Sequence, residues 1–140
     1  MFKRKIYDRI LKWKQDSNGE SALMIQGARR IGKSTIAEEF AKNEYSSYLI
    51  IDFNKASAVV KSLFDDLMDL DFIFLQLQTI YNVVLEERKS VIIFDEVQDC
   101  PKVINSMKYF CENAPQYHIA CAGSLLGIAL ANPSSFPVGK

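Results

Sequence analysis

The chain has 140 residues, enough for one domain, and a hydrophobic share of 49% that suffices for a packed core. Its 17 basic and 17 acidic side chains balance, which argues against a domain built mainly to coat nucleic acid but leaves a local basic patch open. Its apolar runs fall short of a membrane span, and no uninterrupted apolar stretch follows the basic start, so neither membrane insertion nor a signal peptide is indicated.

Residues 2–15 predict an amphipathic helix, because their large apolar side chains fall on one side at helical spacing. The basic side chains that crowd the rest of this helix are Lys3, Arg4, Lys5, Arg9, Lys12 and Lys14. We interpret them as a solvated face, with a nucleic-acid or partner surface as the alternative.

The stretch Gly27–Thr35 reads G-x-x-x-x-G-K-S and has the Walker A pattern of a phosphate-binding loop. Its glycines permit backbone conformations that a Cβ would forbid, so successive N–H groups can cradle a phosphate. Lys33 would reach the β- and γ-phosphates of a nucleotide, and Ser34 would offer its hydroxyl to Mg²⁺. The residues predicted to contact the nucleotide are Gly27, Ala28, Arg29, Arg30, Ile31, Gly32, Lys33, Ser34 and Thr35.

A phosphate-binding loop requires a strand before it and a helix after it, and the sequence indicates both. An apolar run of strand length, residues 22–26, precedes it, and an apolar stripe at helical spacing continues to about Asn43. The phosphate would then lie at a helix N-terminus, where free N–H groups and the helix dipole favour anions. The alternative is a plain glycine-rich turn between a strand and a helix.

The second predicted strand is Ser47–Phe53, and its near-continuous apolar run suits a parallel strand covered on both faces. Asp52 lies at its carboxyl end, where it either assists the magnesium and water network or caps the following turn. Two helices should follow, over residues 56–68 and from an N-cap at Asp71 to about Arg88. We expect their apolar residues, including Val59, Ile80 and Val84, to pack in the core.

The second decisive stretch is Ser90–Glu96, in which a buried strand ends in two carboxylates and has the Walker B pattern. Burying adjacent carboxylates is costly without a cation or hydrogen-bond donors. Beside a phosphate loop, Asp95 would hold Mg²⁺, and Glu96 would orient and polarise the attacking water. A strand that merely ends in an acidic turn is the alternative.

The remaining chain predicts a helix that begins at Pro101 and a fourth strand over 117–122. Ser124 follows this strand, where it either contacts the γ-phosphate or caps a helix over 125–130. His118 is interpreted as a strand residue and not as a catalyst, since it has no evident partner. Three cysteines, Cys100, Cys111 and Cys121, lack C-x-x-C spacing and indicate free thiols in a reducing cytoplasm.

Three motifs together carry a resemblance to a known family: the Gly27–Thr35 loop with its double arginine, Asp95-Glu96-Val97-Gln98, and Gly123-Ser124-Leu125. With these the sequence resembles the prokaryotic AAA+ ATPases common in archaea, P-loop enzymes that join an N-terminal ATP-binding domain to a C-terminal domain of unknown function. The resemblance covers essentially the whole chain.

This resemblance implies a three-layer αβα sandwich with parallel strands in the order 5-1-4-3-2, and it assigns Ser124 to the sensor-1 position. Residues 136–140 correspond to a stretch that in this family leads into further strands and helices. We therefore expect residues 1–140 to be a truncated AAA+ domain in which strand 5, a sensor-2 arginine and the C-terminal domain are missing. The uncovered first strand, 22–26, would then invite self-association unless residues 134–140 fold back over it.

The predicted function is Mg²⁺-dependent binding and hydrolysis of ATP, with Lys33, Glu96 and Ser124 as catalytic residues and Ser34 and Asp95 as magnesium ligands. The alternative is a nucleotide-dependent switch or interaction module with negligible turnover. A phosphotransferase would need an arginine-rich lid, which is not evident, and a GTPase would need an aspartate that Asn54-Lys55-Ala56-Ser57 lacks. Expected partners are ATP, the C-terminal remainder of a longer protein and a second copy of the chain; neither nucleic acid nor a membrane is indicated.

Overall fold

The computed structural model describes residues 2–17, 23–27, 33–124 and 138–139. Within these ranges, parallel strands form one sheet with helices on both faces. The elements in chain order are α1 (Phe2–Ser17), β1 (Leu23–Gly27), α2 (Lys33–Glu44), β2 (Ser47–Asp52), α3 (Ala58–Ser62), α4 (Leu70–Tyr81), β3 (Ser90–Asp95), α5 (Pro101–Asn113), β4 (His118–Ser124) and β5 (Val138–Gly139). Short 3₁₀ turns cover Leu63–Asp65 and Val97–Asp99.

The strand order is β2-β3-β4-β1-β5, and every pairing is parallel. The predicted αβα sandwich and the order 5-1-4-3-2 are therefore confirmed. Parallel strands need long crossover connections, and here the intervening helices supply most of them. Because all strands run the same way, their carboxyl ends meet at one edge of the sheet.

The two faces of β3 show how the helices are held. Val91 and Ile93 pack on one face in a core cluster with α1 and α2, and Ile92 and Phe94 pack on the other with α3, α4 and α5. All six residues of the strand are buried. Burying one such apolar side chain contributes about 1.5–3 kcal/mol, so covering both faces favours a continuous apolar run over an alternating one.

The helices between β2 and β3 differ from the prediction. The helix expected over 56–68 is the short α3, capped by Ser57, followed by a 3₁₀ turn that ends at extended Asp66. Asp69, and not Asp71, caps α4, because its side chain accepts a hydrogen bond from the Phe72 N–H at 3.0 Å. The helix ends at Tyr81, well short of Arg88, because Asn82 adopts a left-handed conformation with φ of 54°.

Three apolar residues predicted to lie in the core are exposed. Val59, Ile80 and Val84 have exposed fractions of 64%, 44% and 74%. Val84 lies beyond the end of α4 and Val59 in the short α3, so neither is part of a long helix with one face on the sheet. The helical periodicity continued in the sequence past the point where the helix stops.

The expectation that strand 5 is missing is wrong. Val138 and Gly139 pair in parallel with Met24 and Ile25, on the side of β1 away from β4. This agrees with the alternative in which the end of the chain covers the first strand, as far as the described residues 138–139 extend. Among the described residues, no helix is long and apolar enough to cross a membrane.

Candidate nucleotide site

Three of the predicted site residues, Gly27, Ser124 and Asp95, lie at the edge where the parallel strands end. Gly27 at the end of β1 pairs with Ser124 at the end of β4, and Asp95 at the end of β3 pairs with Asp52 at the end of β2. Since β4 lies between β1 and β3, Ser124 stands between the loop that follows β1 and the carboxylates that follow β3. Ligands of α/β sheets bind at this carboxyl edge.

The phosphate loop is bracketed by described elements. Gly27 closes β1, and Lys33, Ser34 and Thr35 form the first turn of α2. The predicted contact residues Ala28, Arg29, Arg30, Ile31 and Gly32 lie outside the described residues. The strand before the loop and the helix after it are as predicted, so the N-terminus of a 12-residue helix lies where an anion would be bound.

Asp95 is held at the end of β3 by hydrogen bonds from two backbone N–H groups. Its residue is only 9% exposed, and its Oδ1 accepts a hydrogen bond from the Glu96 N–H at 2.9 Å. Its carbonyl oxygen accepts another from the Phe53 N–H at 3.0 Å. A carboxylate is thus held in a largely buried position beside the phosphate-loop edge, where a cation would offset the cost of its burial.

Glu96 is held in a strained backbone conformation. It adopts φ of 54° and ψ of 47°, in the left-handed region that is costly for a residue with a Cβ. Such positions cost on the order of 1–3 kcal/mol and concentrate at functional sites. Its side chain accepts a hydrogen bond at Oε2 from Gln98 Nε2, at 2.5 Å. The left-handed backbone of Glu96 and the side-chain amide of Gln98 together fix the orientation of the Glu96 carboxylate.

Asp52 caps the turn after β2. Its Oδ1 accepts from the Asn54 N–H at 2.9 Å, and its carbonyl accepts from the N–H groups of Lys55 and Ala56. Of the two roles left open by the sequence, turn capping is therefore observed. Asn54 in turn donates from Nδ2 to Asp99 Oδ2 at 3.1 Å, which joins the turn after β2 to the one after β3.

Sequence reasoning missed the contributions of Asn54 and Gln98. Gln98 is part of the D-E-x-Q motif, but its position two residues after Glu96 did not indicate a role for it. Asn54 was considered only as part of a guanine-reading motif that is incomplete. Its partner Asp99 is 45 residues away in sequence, so only the fold brings the two together.

Ser124 is the last residue of β4, at the expected place. Its alternative role, as the cap of a helix over 125–130, falls outside the described residues. His118 begins the same strand, at the opposite end from the site, so its interpretation as a strand residue is confirmed. It is 2% exposed, and its Nδ1 lies 2.7 Å from the Tyr45 hydroxyl.

The cysteines are free and buried. Burial raises the pKa of the Cys111 thiol to about 11 and raises the pKa of Cys121, so both remain protonated near neutral pH. Within the part of the chain that the structure describes, no cluster of three or more His, Cys, Asp or Glu side chains could hold a metal.

This three-layer fold, with a helix that starts at Lys33 directly after the glycine loop, is that of a P-loop NTPase. Residues 19–140 match a family model described as an AAA domain, and the chain belongs to that family. Membership of this family makes it an ATP-binding P-loop module.

A solved structure of an ATPase has the same fold. A Walker-type ATPase of Pyrococcus abyssi superposes with a TM-score of 0.54 at 16% identity, covering 93% of this chain and 48% of that one. The C. elegans protein PCH-2 gives a TM-score of 0.44 at 12% identity, covering 99% of this chain and 39% of that one. The chain thus spans less than half the length of either structure, and no curated protein matches it significantly.

Proposed function

We propose that the chain binds Mg²⁺-ATP and hydrolyses it. The observation that carries the proposal is the strand register. It brings Gly27, Ser124 and Asp95 to one edge of the sheet. In the sequence, the predicted phosphate loop follows Gly27 directly and Glu96 follows Asp95. These are the parts that phosphoryl transfer to water requires: a phosphate cradle, a cation site and a group that orients the nucleophile.

The phosphates would lie against the N–H groups of residues 28–35. The N-terminus of α2 supports this placement, because its first N–H groups lack helical partners and its dipole favours anions. Lys33, at the first position of that helix, would pair its ammonium with the β- and γ-phosphates. Among the contacts of the loop, loss of this ion pair should weaken ATP binding most.

The residues present fit a magnesium ion. Mg²⁺ prefers hard oxygen ligands and usually takes one or two carboxylates with substrate phosphates. Asp95 would supply a largely buried carboxylate, and Ser34, which belongs to the first turn of α2, would supply a hydroxyl. Bound there, the ion would neutralise charge that develops on the phosphates.

In the proposed hydrolysis, Glu96 accepts a proton from a water molecule as that water attacks the γ-phosphorus and the bond to the bridging oxygen breaks. Gln98 supports this role, because its amide donates to Glu96 Oε2 and helps to hold the carboxylate in place. Ser124 would contact the γ-phosphate or its water from the neighbouring strand.

One observation favours the alternative of a switch with negligible turnover. The hydrogen bond from Gln98 occupies one oxygen of the carboxylate that would polarise the water. If that contact persisted with nucleotide bound, the module would bind ATP and hydrolyse it slowly.

The wider setting is also part of the proposal. We take residues 1–140 as an AAA+ domain that is truncated at its carboxyl end, with the remainder of a longer protein and a second copy of the chain as its partners. The three free thiols support a reducing cytoplasm. An arginine finger from a partner subunit would raise the rate, since such groups contribute roughly 10³–10⁵-fold elsewhere.

Calorimetric titration with ATP and steady-state phosphate release, each with magnesium and with EDTA, test the proposal. We expect saturable binding that weakens when magnesium is removed, together with turnover that requires the metal. Binding without measurable turnover would favour the switch. Absence of binding at millimolar ATP would contradict the whole proposal.

A further inference from the structure

The free edge of β2 lies in a groove of about 700 Å³. The strand is the last in the sheet order, with β3 on one side and no strand on the other among the described residues. Lys42 of α2 and residues 45–50 line the groove. The rest of the lining, which we call the wall, is Tyr81, Asn82, Val83, Val84 and Glu86. In a parallel sheet, an edge strand points part of its N–H and C=O groups away from its neighbour.

This edge lacks the devices that usually prevent pairing with another chain. Proteins blunt exposed edges with proline, lysine, bulges or very short strands. The six residues of β2 read SYLIID, with no proline, no lysine and a single charge at the far end, Asp52. The strand is long and apolar enough to accept a further strand along its length.

The wall beside the edge is preformed. The Ser47 hydroxyl donates to the Val84 carbonyl at 2.6 Å, and the Glu86 N–H donates to Ser90 Oγ at 2.8 Å. The Leu85 N–H donates to the Gln78 side chain at 2.9 Å. These bonds fasten the wall to β2, β3 and α4. A groove built in advance loses little conformational freedom when it is occupied.

The shape and charge of the groove select its occupant. Paired strands lie about 4.8 Å apart. A second copy would have to bring its own wall to the groove at that distance, whereas a single extended segment carries no wall and therefore fits better. The exposed residues that line the groove include both Lys42 and Glu86, which carry opposite charges. The groove therefore favours an uncharged segment over a polyanion such as nucleic acid. Val84, 74% exposed, offers an apolar contact.

We propose that this groove binds an extended, largely uncharged segment of a partner protein, which pairs with β2 and adds a strand to the edge of the sheet. The main-chain hydrogen bonds provide affinity, and alternate side chains of the segment lie against Val84 and the neighbouring tyrosines Tyr48 and Tyr81. The inference rests on the sheet edge and its wall, and it is independent of nucleotide hydrolysis.

The test uses a labelled seven-residue peptide of alternating threonine and valine, acetylated and amidated at its ends. We expect saturable binding by fluorescence anisotropy and slowed exchange of the amide protons of residues 48–51 by NMR. Two control peptides, methylated at alternate backbone nitrogens in one or the other register, separate main-chain pairing from apolar adhesion. The one whose methyl groups face β2 should lose binding.

Matched variants locate the site. Val84→Asp should weaken peptide binding by about tenfold or more, whereas Val59→Asp, at another exposed valine that does not line the groove, should leave it unchanged. No saturation up to about 1 mM peptide would overturn the proposal, as would equal losses in both variants. Protection of residues 48–51 in a dimer without peptide would assign the edge to a second copy, and displacement of the peptide by oligo-dT would assign it to nucleic acid.

Discussion

Gly27 pairs directly with Ser124, which places the start of the phosphate loop beside the end of β4. The neighbouring strand on the other side of β4 ends in Asp95 and leads into Glu96. The predicted binding, sensing and hydrolytic groups therefore come from three adjacent strands and not from one segment. Substitutions in each strand should produce different kinetic effects.

Lys33→Ala should weaken Mg²⁺-ATP binding by about 100-fold or more, because an ammonium facing the β- and γ-phosphates is lost; such a change corresponds to about 2.7 kcal/mol. Isothermal titration calorimetry measures it. Lys42→Ala is the matched control, since Lys42 is an exposed lysine in the last turn of the same helix. Its Nζ lies 3.7 Å from Oε2 of Glu38. Equal affinities for the two variants would contradict the assignment of Lys33.

Glu96→Gln should leave ATP affinity within about twofold and lower turnover by about 100-fold or more, since positioned acid–base groups contribute roughly 10²–10⁴. The substitution keeps the shape of the side chain but removes its basicity. Glu112→Gln, at an exposed glutamate of α5, controls for the loss of one negative charge. Wild-type turnover in the Glu96 variant would show that another group activates the water.

Much of this site could be predicted because its signals are local. The apolar runs of β2 and β3 indicate strands covered on both faces, and the Asp95-Glu96 pair follows directly from one of them. The end of α4 was missed because the left-handed turn at Asn82 stops a helix whose periodicity continues in the sequence. The strand at Val138–Gly139 is two residues long, too short to show any periodicity.

The supporting contacts could not be predicted for a different reason. Gln98 lies two residues from Glu96, a spacing at which side chains of an α-helix do not meet. Here the contact forms in the turn that begins at the left-handed Glu96. The Asn54 to Asp99 bond depends on the parallel pairing of β2 with β3. Both follow from tertiary geometry and have no pattern of their own in the sequence.

His118 should make the stability of the fold depend on acid. Burial, with Lys14 and Arg88 nearby, lowers the pKa of His118 from 6.5 to about 4. Between pH 4 and pH 6.5 the unfolded chain binds more protons than the folded one. The stability that the neutral, buried His118 contributes is therefore complete above pH 6.5 and is lost as the pH falls towards 4. The loss amounts to at most about 3 kcal/mol.

Urea unfolding between pH 4 and pH 7 measures this dependence. Burial raises the pKa of Tyr45, so its hydroxyl keeps its proton and shares a hydrogen bond with Nδ1 of the neutral His118 ring, 2.7 Å away. His118→Phe should reduce the slope of the unfolding free energy against pH in this window, whatever its effect on overall stability. An unchanged slope would assign the acid dependence to other groups.

Removal of residues 138–140 should expose the edge of β1. The pairing of Val138 and Gly139 with Met24 and Ile25 is a short ladder, and each of its hydrogen bonds contributes about 0.5–1.5 kcal/mol. Loss of about 1–3 kcal/mol should lower the melting temperature by roughly 3–15 °C for a domain of this size. The uncovered backbone groups of β1 should also promote association between copies.

Thermal unfolding and sedimentation at several protein concentrations test both effects, with removal of Lys140 alone as the control. We expect the longer deletion to lower the melting temperature and to produce concentration-dependent dimers or larger species. ATP affinity should fall as well, because β1 carries Gly27 and positions the phosphate loop. A deleted chain that remains a monomer with an unchanged melting temperature would show that β5 adds no stability and that the edge of β1 is protected by other means.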